Sequence, residues 1–393
     1  MPAITALEEM RVAKTRETGI GDQPKDYIPQ LDGLRAFAVA FVLVAHGLYS
    51  EIPSLKKYAD FGHTGVLMFF VISGFLISRI LIRSKNNPNY FFNFYARRGL
   101  RIWPLYYAVL ALSFAFWRFG PPQPNVTGGI HVSTYLVYLQ NLIYGHQPVP
   151  VGLAPTWTLA VEEQFYLAWP VLVYFSSRKT LRWLCLILIV VAPIARVSNV
   201  FDQWNTICQI DALALGSLLA FAGYDSNLWL KVSRYAVFLL PLGIYLQVCR
   251  IEWLARWLNG DLFQIYGGAA LVYLTIQTHT LAASVFRRAA LRYIGKISYG
   301  IYLFNVPVFC GLGYVLKGIR HSPSVTTHVF FLLVGSLLTI AAAAVSYSLF
   351  ESPLLRLKKY FPESSKSAVE TVAIQLTEQD NEAPLLPPAP RPA

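Results

Sequence analysis

Residues 64–82 read TGVLMFFVISGFLISRILI, and Arg79 is the only ionisable side chain among them. As a helix this stretch rises roughly 28 Å, close to the hydrocarbon thickness of a bilayer. An apolar run of that length with a single charge suits lipid better than the interior of a soluble domain. Working outward in both directions, runs of the same kind recur near 31–49, 102–119, 157–175, 181–199, 206–222, 234–250, 262–279, 297–316 and 327–349. The bulk composition agrees. Of 393 residues, 55% are hydrophobic and only 14% charged, whereas a soluble domain carries about 25% charged residues. The predicted fold class is an all-α membrane protein with about ten transmembrane helices in one bundle. The segment VSTYLVYLQNLIY (132–144) is too short for a simple crossing and is predicted as a re-entrant or interfacial helix. Gly120, Pro121, Pro122 and Pro124 break the chain before it.

The net charge of +12 is concentrated in the short gaps between these runs. Fourteen lysines and arginines, among them Arg83, Lys85, Arg97, Arg98 and Arg101, collect on one side, and eight, among them Lys56, Lys57, Arg118 and Lys317, on the other. The richer side is expected to be cytoplasmic, which places both termini inside an inner (plasma) membrane. A basic balance spent this way points to membrane lipids as partners and away from nucleic acid. Residues 1–30 are predicted as a polar cytoplasmic segment without the pattern of a secretory signal, 31–356 as the multi-pass domain, and 357–393, ending in PPAPRPA, as a disordered cytoplasmic tail. Cys185, Cys208, Cys249 and Cys310 have neither metal-type nor CxxC spacing. They read as apolar packers, and no metal site is predicted.

Ionisable residues inside membrane helices cost a few kcal/mol unless buried and paired, so they mark candidate sites. The first run holds Asp32, Arg35 and His46. Arg35 and His46 are eleven residues apart, which brings them to nearly one helix face, roughly 16 Å apart along the axis. In PTWTLAVEEQFY (155–166), Pro155 and Thr156 read as a helix start, and Glu162 and Glu163 fall inside the helix, pointing to different sides. In FYARRGLRIWPLYY (94–107), Arg98 and Arg101 are neighbours on one face, and guanidinium forks suit phosphate oxygens.

These segments together resemble the acyltransferase-3 family of membrane O-acyltransferases. The similar stretches are LDGLRAFAVAFVLVAH (31–46), GVLMFFVISGFLISRIL (65–81), FYARRGLRIWPLYY (94–107), PTWTLAVEEQFYLAWP (155–170), ISYGIYLFNVP (297–307) and SYSLFESP (346–353), in the family's order. The resemblance implies a ten-helix core that moves an acyl group, usually acetyl from acetyl-CoA, onto a hydroxyl of a surface polysaccharide, a lipid-linked saccharide or sometimes a macrolide. It maps an Arg-x10-His signature onto Arg35 and His46, an Arg-x-x-Arg onto Arg98 and Arg101, and a carboxylate onto Glu162. Asn305 stands where many members have histidine, and Ala45 leaves His46 without an adjacent aspartate.

The expected chemistry follows. An imidazole titrates near neutrality and serves as general base for an attacking hydroxyl. His46 is that candidate, with Glu162, or Glu163 failing it, as the carboxylate that orients the ring. Arg35, Arg98 and Arg101 are candidates for the phosphates of acetyl-CoA, expected as a donor substrate rather than a tightly bound cofactor. Direct transfer and an acyl-histidine intermediate both remain open. A proton-coupled transporter is the alternative, because buried histidine, arginine and glutamate also build proton relays; the chain shows no inverted internal repeat in its favour.

Overall fold

The computed structural model describes residues 27–48, 61–119, 132–143, 150, 152–198, 200–222, 227–249, 260–316 and 324–362. Gly120 to Pro124, Lys56, Lys57, Arg250, Arg256, Lys317, Arg320, most of the 1–30 segment and 363–393 lie outside them. All regular structure among the described residues is helical. In chain order it comprises α1 (Pro29–Gly47), α2 (Phe61–Ser84), α3 (Tyr90–Phe119), α4 (Val132–Leu136), α5 (Thr156–Phe175), α6 (Arg178–Ser198), α7 (Thr206–Ala222), α8 (Asn227–Ala236), α9 (Leu239–Cys249), α10 (Gly260–Ile276), α11 (Leu281–Phe286), α12 (Ala289–Lys296), α13 (Ser298–Val315) and α14 (Val325–Ser346). A π turn at Tyr347–Glu351 joins α14 to α15 (Ser352–Arg356).

Among the described residues helical structure falls on each of the ten apolar runs, the run 234–250 being divided between α8 and α9. Six helical stretches are long and apolar enough to cross a membrane: Gly62–Ser84, Tyr90–Phe119, Arg178–Ser198, Asn227–Cys249, Ser298–Val315 and Val325–Tyr360. Thr206–Phe221 and Asp261–Ile276 are apolar but shorter. The remaining two, α1 and α5, carry Asp32 and Arg35, and Glu162 and Glu163, within their helices. The burial pattern is that of a bundle solvated by lipid. On α6, Cys185, Ile189 and Ala192 face the core, while Ile187, Val190 and Ile194 on the opposite side are 55%, 58% and 62% exposed. An outward apolar face is destabilising in water and neutral in hydrocarbon.

Glycines set how closely the central helices approach. A methyl on Gly74 would overlap the Leu213 carbonyl and one on Gly216 the Val71 carbonyl, so α2 and α7 meet backbone to backbone. Gly295 of α12 likewise lies on the Asp32 carbonyl of α1. Close packing of this kind replaces the hydrophobic drive that is missing between helices in lipid.

Over its described residues 132–143, the segment 132–144 does not form one continuous helix. It is broken into α4 and a single 3-10 turn at Gln140–Leu142, with Tyr138 in a left-handed conformation between them (φ 56°). Its buried amides fasten it: Gln140 Nε2 donates to the Thr156 carbonyl at 2.9 Å, and Asn141 Nδ2 to Thr206 Oγ1 at 3.0 Å. At the other end of the bundle the helical chain runs past residue 356, through a 3-10 turn at Leu357–Tyr360. Arg97 Nη1 donates to the Phe361 carbonyl at 2.9 Å, and Asn93 Nδ2 to that of Pro362 at 2.9 Å. Residues 357–362 thus pack on α3, because polar groups at the foot of that helix satisfy carbonyls the chain would otherwise leave unpaired.

Candidate functional site

Five helices converge on one open cavity, about 740 Å³ counting the space at its mouth. Helix α1 supplies Arg35, α2 Ser73, α3 Arg98 and Arg101, α5 Glu162 and Tyr166, and α13 adds Tyr299 and Tyr302.

Each polar side chain is held by a local cause. Proline at the first turn starts α1 at residue 29, which places Asp32 and Arg35 one turn apart. Arg35 Nη1 donates to Asp32 Oδ1 at 2.9 Å, and the Tyr27 hydroxyl donates to Oδ2 of the same carboxylate. Arg98 stacks over Phe94, 5.8 Å from the ring centre. Arg101, one turn on, makes no hydrogen bond or ion pair among the described residues and opens onto the cavity. Glu162 accepts a hydrogen bond from Ser73 Oγ at 2.7 Å. Tyr302 and Thr158 share a hydrogen bond of 2.8 Å, and Tyr299 donates to the Ile102 carbonyl at 2.8 Å, tying α13 to α5 and α3.

The adjacent carboxylates part as their spacing requires. Glu162 lines the cavity, whereas Glu163 turns away and accepts from Trp103 Nε1 at 3.3 Å. His46 lies outside the cavity lining, at the far end of α1 from Arg35, and its buried Nδ1 has no side-chain partner among the described residues. The structure therefore brings Arg35, Arg98, Arg101 and Glu162 together and holds His46 beyond them. The carboxylate expected to orient the imidazole is bonded to Ser73 instead. Asn305 is fully buried and turns back on its own helix, donating to the Ile301 carbonyl at 3.4 Å.

Ser73, Tyr166, Tyr299 and Tyr302 were not singled out from sequence. Ser73 is a lone hydroxyl in an apolar run, and its signal was position: it shares a stripe of α2 with Val66 and Ile77, which also line the cavity. Tyr299 and Tyr302 are three residues apart in SYGIYLF and face one way for that reason.

No group of three or more histidine, cysteine, aspartate or glutamate side chains capable of holding a metal occurs among the described residues.

Comparison with known proteins adds a family to this geometry. The chain is similar to the O-acetyltransferase OatA of Staphylococcus aureus (strain MRSA252), 26% identical over 384 residues covering 89% of this chain and 61% of that protein. It is similar to the peptidoglycan O-acetyltransferase OatA of Listeria monocytogenes, 29% identical over 321 residues covering 72% of this chain and 50% of that protein. The chain thus spans between half and about three fifths of the length of these relatives. No solved structure is a significant match. The profile of the acyltransferase domain family matches residues 28–348, which contain every residue of the cavity, and the chain belongs to that family.

Proposed function

We propose that this protein is a membrane O-acetyltransferase that moves acetyl from acetyl-CoA to a hydroxyl of a cell-envelope carbohydrate. The observation that carries the reading is the convergence of Arg35, Arg98, Arg101 and Glu162 on one cavity at the basic end of the bundle. In this reading all ten apolar runs cross the inner (plasma) membrane, both termini are cytoplasmic, and the arginine end faces the cytosol. The arginines take the phosphates of the donor. The pantetheine arm runs along the cavity, past Ser73 and Glu162, toward His46 roughly 16 Å further along α1.

The acceptor arrives at the histidine end. Its hydroxyl oxygen attacks the thioester carbonyl, His46 takes the hydroxyl proton, the carbon–sulfur bond breaks, and the CoA sulfur leaves and is protonated. Similarity to proteins named as acetyltransferases of peptidoglycan supports a glycan of the envelope as acceptor; a lipid-linked saccharide has the same hydroxyl chemistry. The test is to compare envelope glycans from cells with and without the gene. Mass spectrometry should show an acetyl increment that mild alkali removes, and the purified protein should consume acetyl-CoA. Identical glycans in both strains would remove the proposal.

A further inference from the structure

The α1 stripe that begins at Arg35 ends at His46. Helix α2 has a matching stripe, formed by Val66, Phe70 and Ile77, all in the cavity wall. His63 precedes these residues by three, seven and fourteen positions, the spacing of one helix face. It therefore stands on the same face one turn beyond Val66, past the residues that line the cavity. The level is fixed by the crossing of the two helices, where Gly62 packs on Ala45 and Gly65 on Ala38. Residues 46 and 63 each follow a contact residue of that crossing, so both stripes end in an imidazole at the same end of the bundle.

Unlike His46, His63 has a carboxylate. Its Nε2 lies 3.3 Å from Asp261 Oδ1 at the start of α10. Asp261 is itself fixed from behind. Thr64 Oγ1 donates to Gln264 Oε1 at 3.0 Å, and Gln264 Nε2 to Gln247 Oε1 at 2.7 Å, which locks the first turn of α10 against α2 and α9. Arg196, which acts electrostatically on Asp261, donates through Nη1 to Asp211 Oδ1 at 3.1 Å. The two ion pairs differ in access. Side chains of Arg196 and Asp211 are 5% and 1% exposed, those of His63 and Asp261 23% and 18%. The inner pair is sealed and the outer pair stands at the edge. With its Nε2–H directed at Asp261, His63 has its second ring nitrogen, Nδ1, left for another hydrogen-bonding group.

We propose that His63, held by Asp261, positions the saccharide: its Nδ1 hydrogen-bonds a sugar hydroxyl beside the one that reacts. The inference rests on the acetyltransferase reading above and adds to it a binding group on the acceptor side. The competing role for the same pair is a clasp between α2 and α10, and one substitution separates the two. In His63→Gln the carboxamide nitrogen reaches the position of Nε2 and keeps the bond to Asp261, but no hydrogen-bonding group remains where Nδ1 stood.

Two rates are measured for wild type, His63→Gln and His63→Ala. The first is the rate at which alkali-releasable acetate accumulates on envelope glycans after induction, normalised to folded protein. The second is acetyl-CoA hydrolysis by the purified full chain without acceptor. Both variants should lower the first rate about tenfold, the loss of one acceptor hydrogen bond, and leave the second unchanged. A full rate of envelope acetylation in His63→Gln would reduce the pair to a clasp. Loss of hydrolysis in His63→Gln along with envelope acetate would also overturn the proposal, because the group would then serve the fold or the donor. If wild type neither acetylates the envelope nor turns over acetyl-CoA, the acetyltransferase reading itself fails, whatever the variants do.

Discussion

Replacing Arg101 by alanine isolates the donor side of the cavity. The three arginines there are not equivalent. Arg35 is already engaged by Asp32 at 2.9 Å, so part of its charge is spent within α1. Arg98 is stacked on Phe94. Arg101 lines the cavity with its guanidinium uncommitted, so it has the most to give an incoming phosphate. A hydrogen bond to a charged group is worth about 1.5–3 kcal/mol, so Arg101→Ala should raise the KM for acetyl-CoA by roughly ten- to a hundredfold. Arg101→Lys should recover part of this, because it restores the charge without the two-pronged fork. Affinity for the acceptor should be unchanged.

Arg35→Ala should behave differently. It leaves Asp32 buried without its cation, and breaking such a pair costs about 3–5 kcal/mol, so the loss should appear first as reduced yield of folded protein. The assay is free CoA release, resolved chromatographically, as a function of acetyl-CoA concentration on detergent-purified variants. An unchanged donor KM in Arg101→Ala, with folded protein equal to wild type, would falsify the assignment of this cavity to the donor and return Arg98 and Arg101 to the role of orientation anchors.

His46→Ala should abolish acetyl transfer without loss of folded protein, since the imidazole has no side-chain partner among the described residues; near-normal turnover would end its assignment as general base. Cysteine at Gln203, in the exposed turn between α6 and α7, should react in intact cells with a membrane-impermeant thiol reagent, whereas cysteine at the exposed Asn86 should not. Labelling at Asn86 alone would invert the topology and put the arginines away from cytosolic CoA. Gly74→Ala should lower thermal stability by about 1–3 kcal/mol through overpacking against the Leu213 carbonyl. Gly311→Ala, where nothing lies within 4 Å of the added methyl, should be neutral or stabilising by fluorescence-detected melting.

The parts of this molecule that sequence makes legible are those whose signal is local. Apolar runs announce helices because a bilayer demands length and leaves no choice of secondary structure. Arg98 and Arg101 announce a shared face because three residues is close to a helical turn. The pairing of Glu162 is different, since its partner Ser73 is a hydroxyl on another helix, 89 positions away. Arg196 and Asp211 sit on opposite sides of the turn between α6 and α7, and each alone looks like a residue at a helix end. The fate of 357–362 was hidden for a similar reason. Lysines and an aromatic pair after an apolar helix read as a tail, and what holds them is the carbonyl acceptors they offer to Arg97, Asn93 and Asn87 together with the packing of Phe361 on Phe92.

The same distinction accounts for why one imidazole is conspicuous and the other is not. His46 closes a run that opens with Asp32 and Arg35, so a periodicity argument links all three on α1. His63 stands one residue before the apolar run of α2, where a polar residue is what any membrane helix shows at its interface. Its partner Asp261 occupies the equivalent place before the run of α10. Two helix-end residues that each satisfy the simplest explanation become a pair only when the packing of α2 on α10 brings them to 3.3 Å. Glycine is what makes that packing possible on the other flank: with Gly62 against Ala45 and Gly65 against Ala38, α1 and α2 lie close enough for both stripes to face one cavity. The spacing between glycines on α2 therefore carries as much information about the site as the ionisable residues do, because it decides which of them can act together.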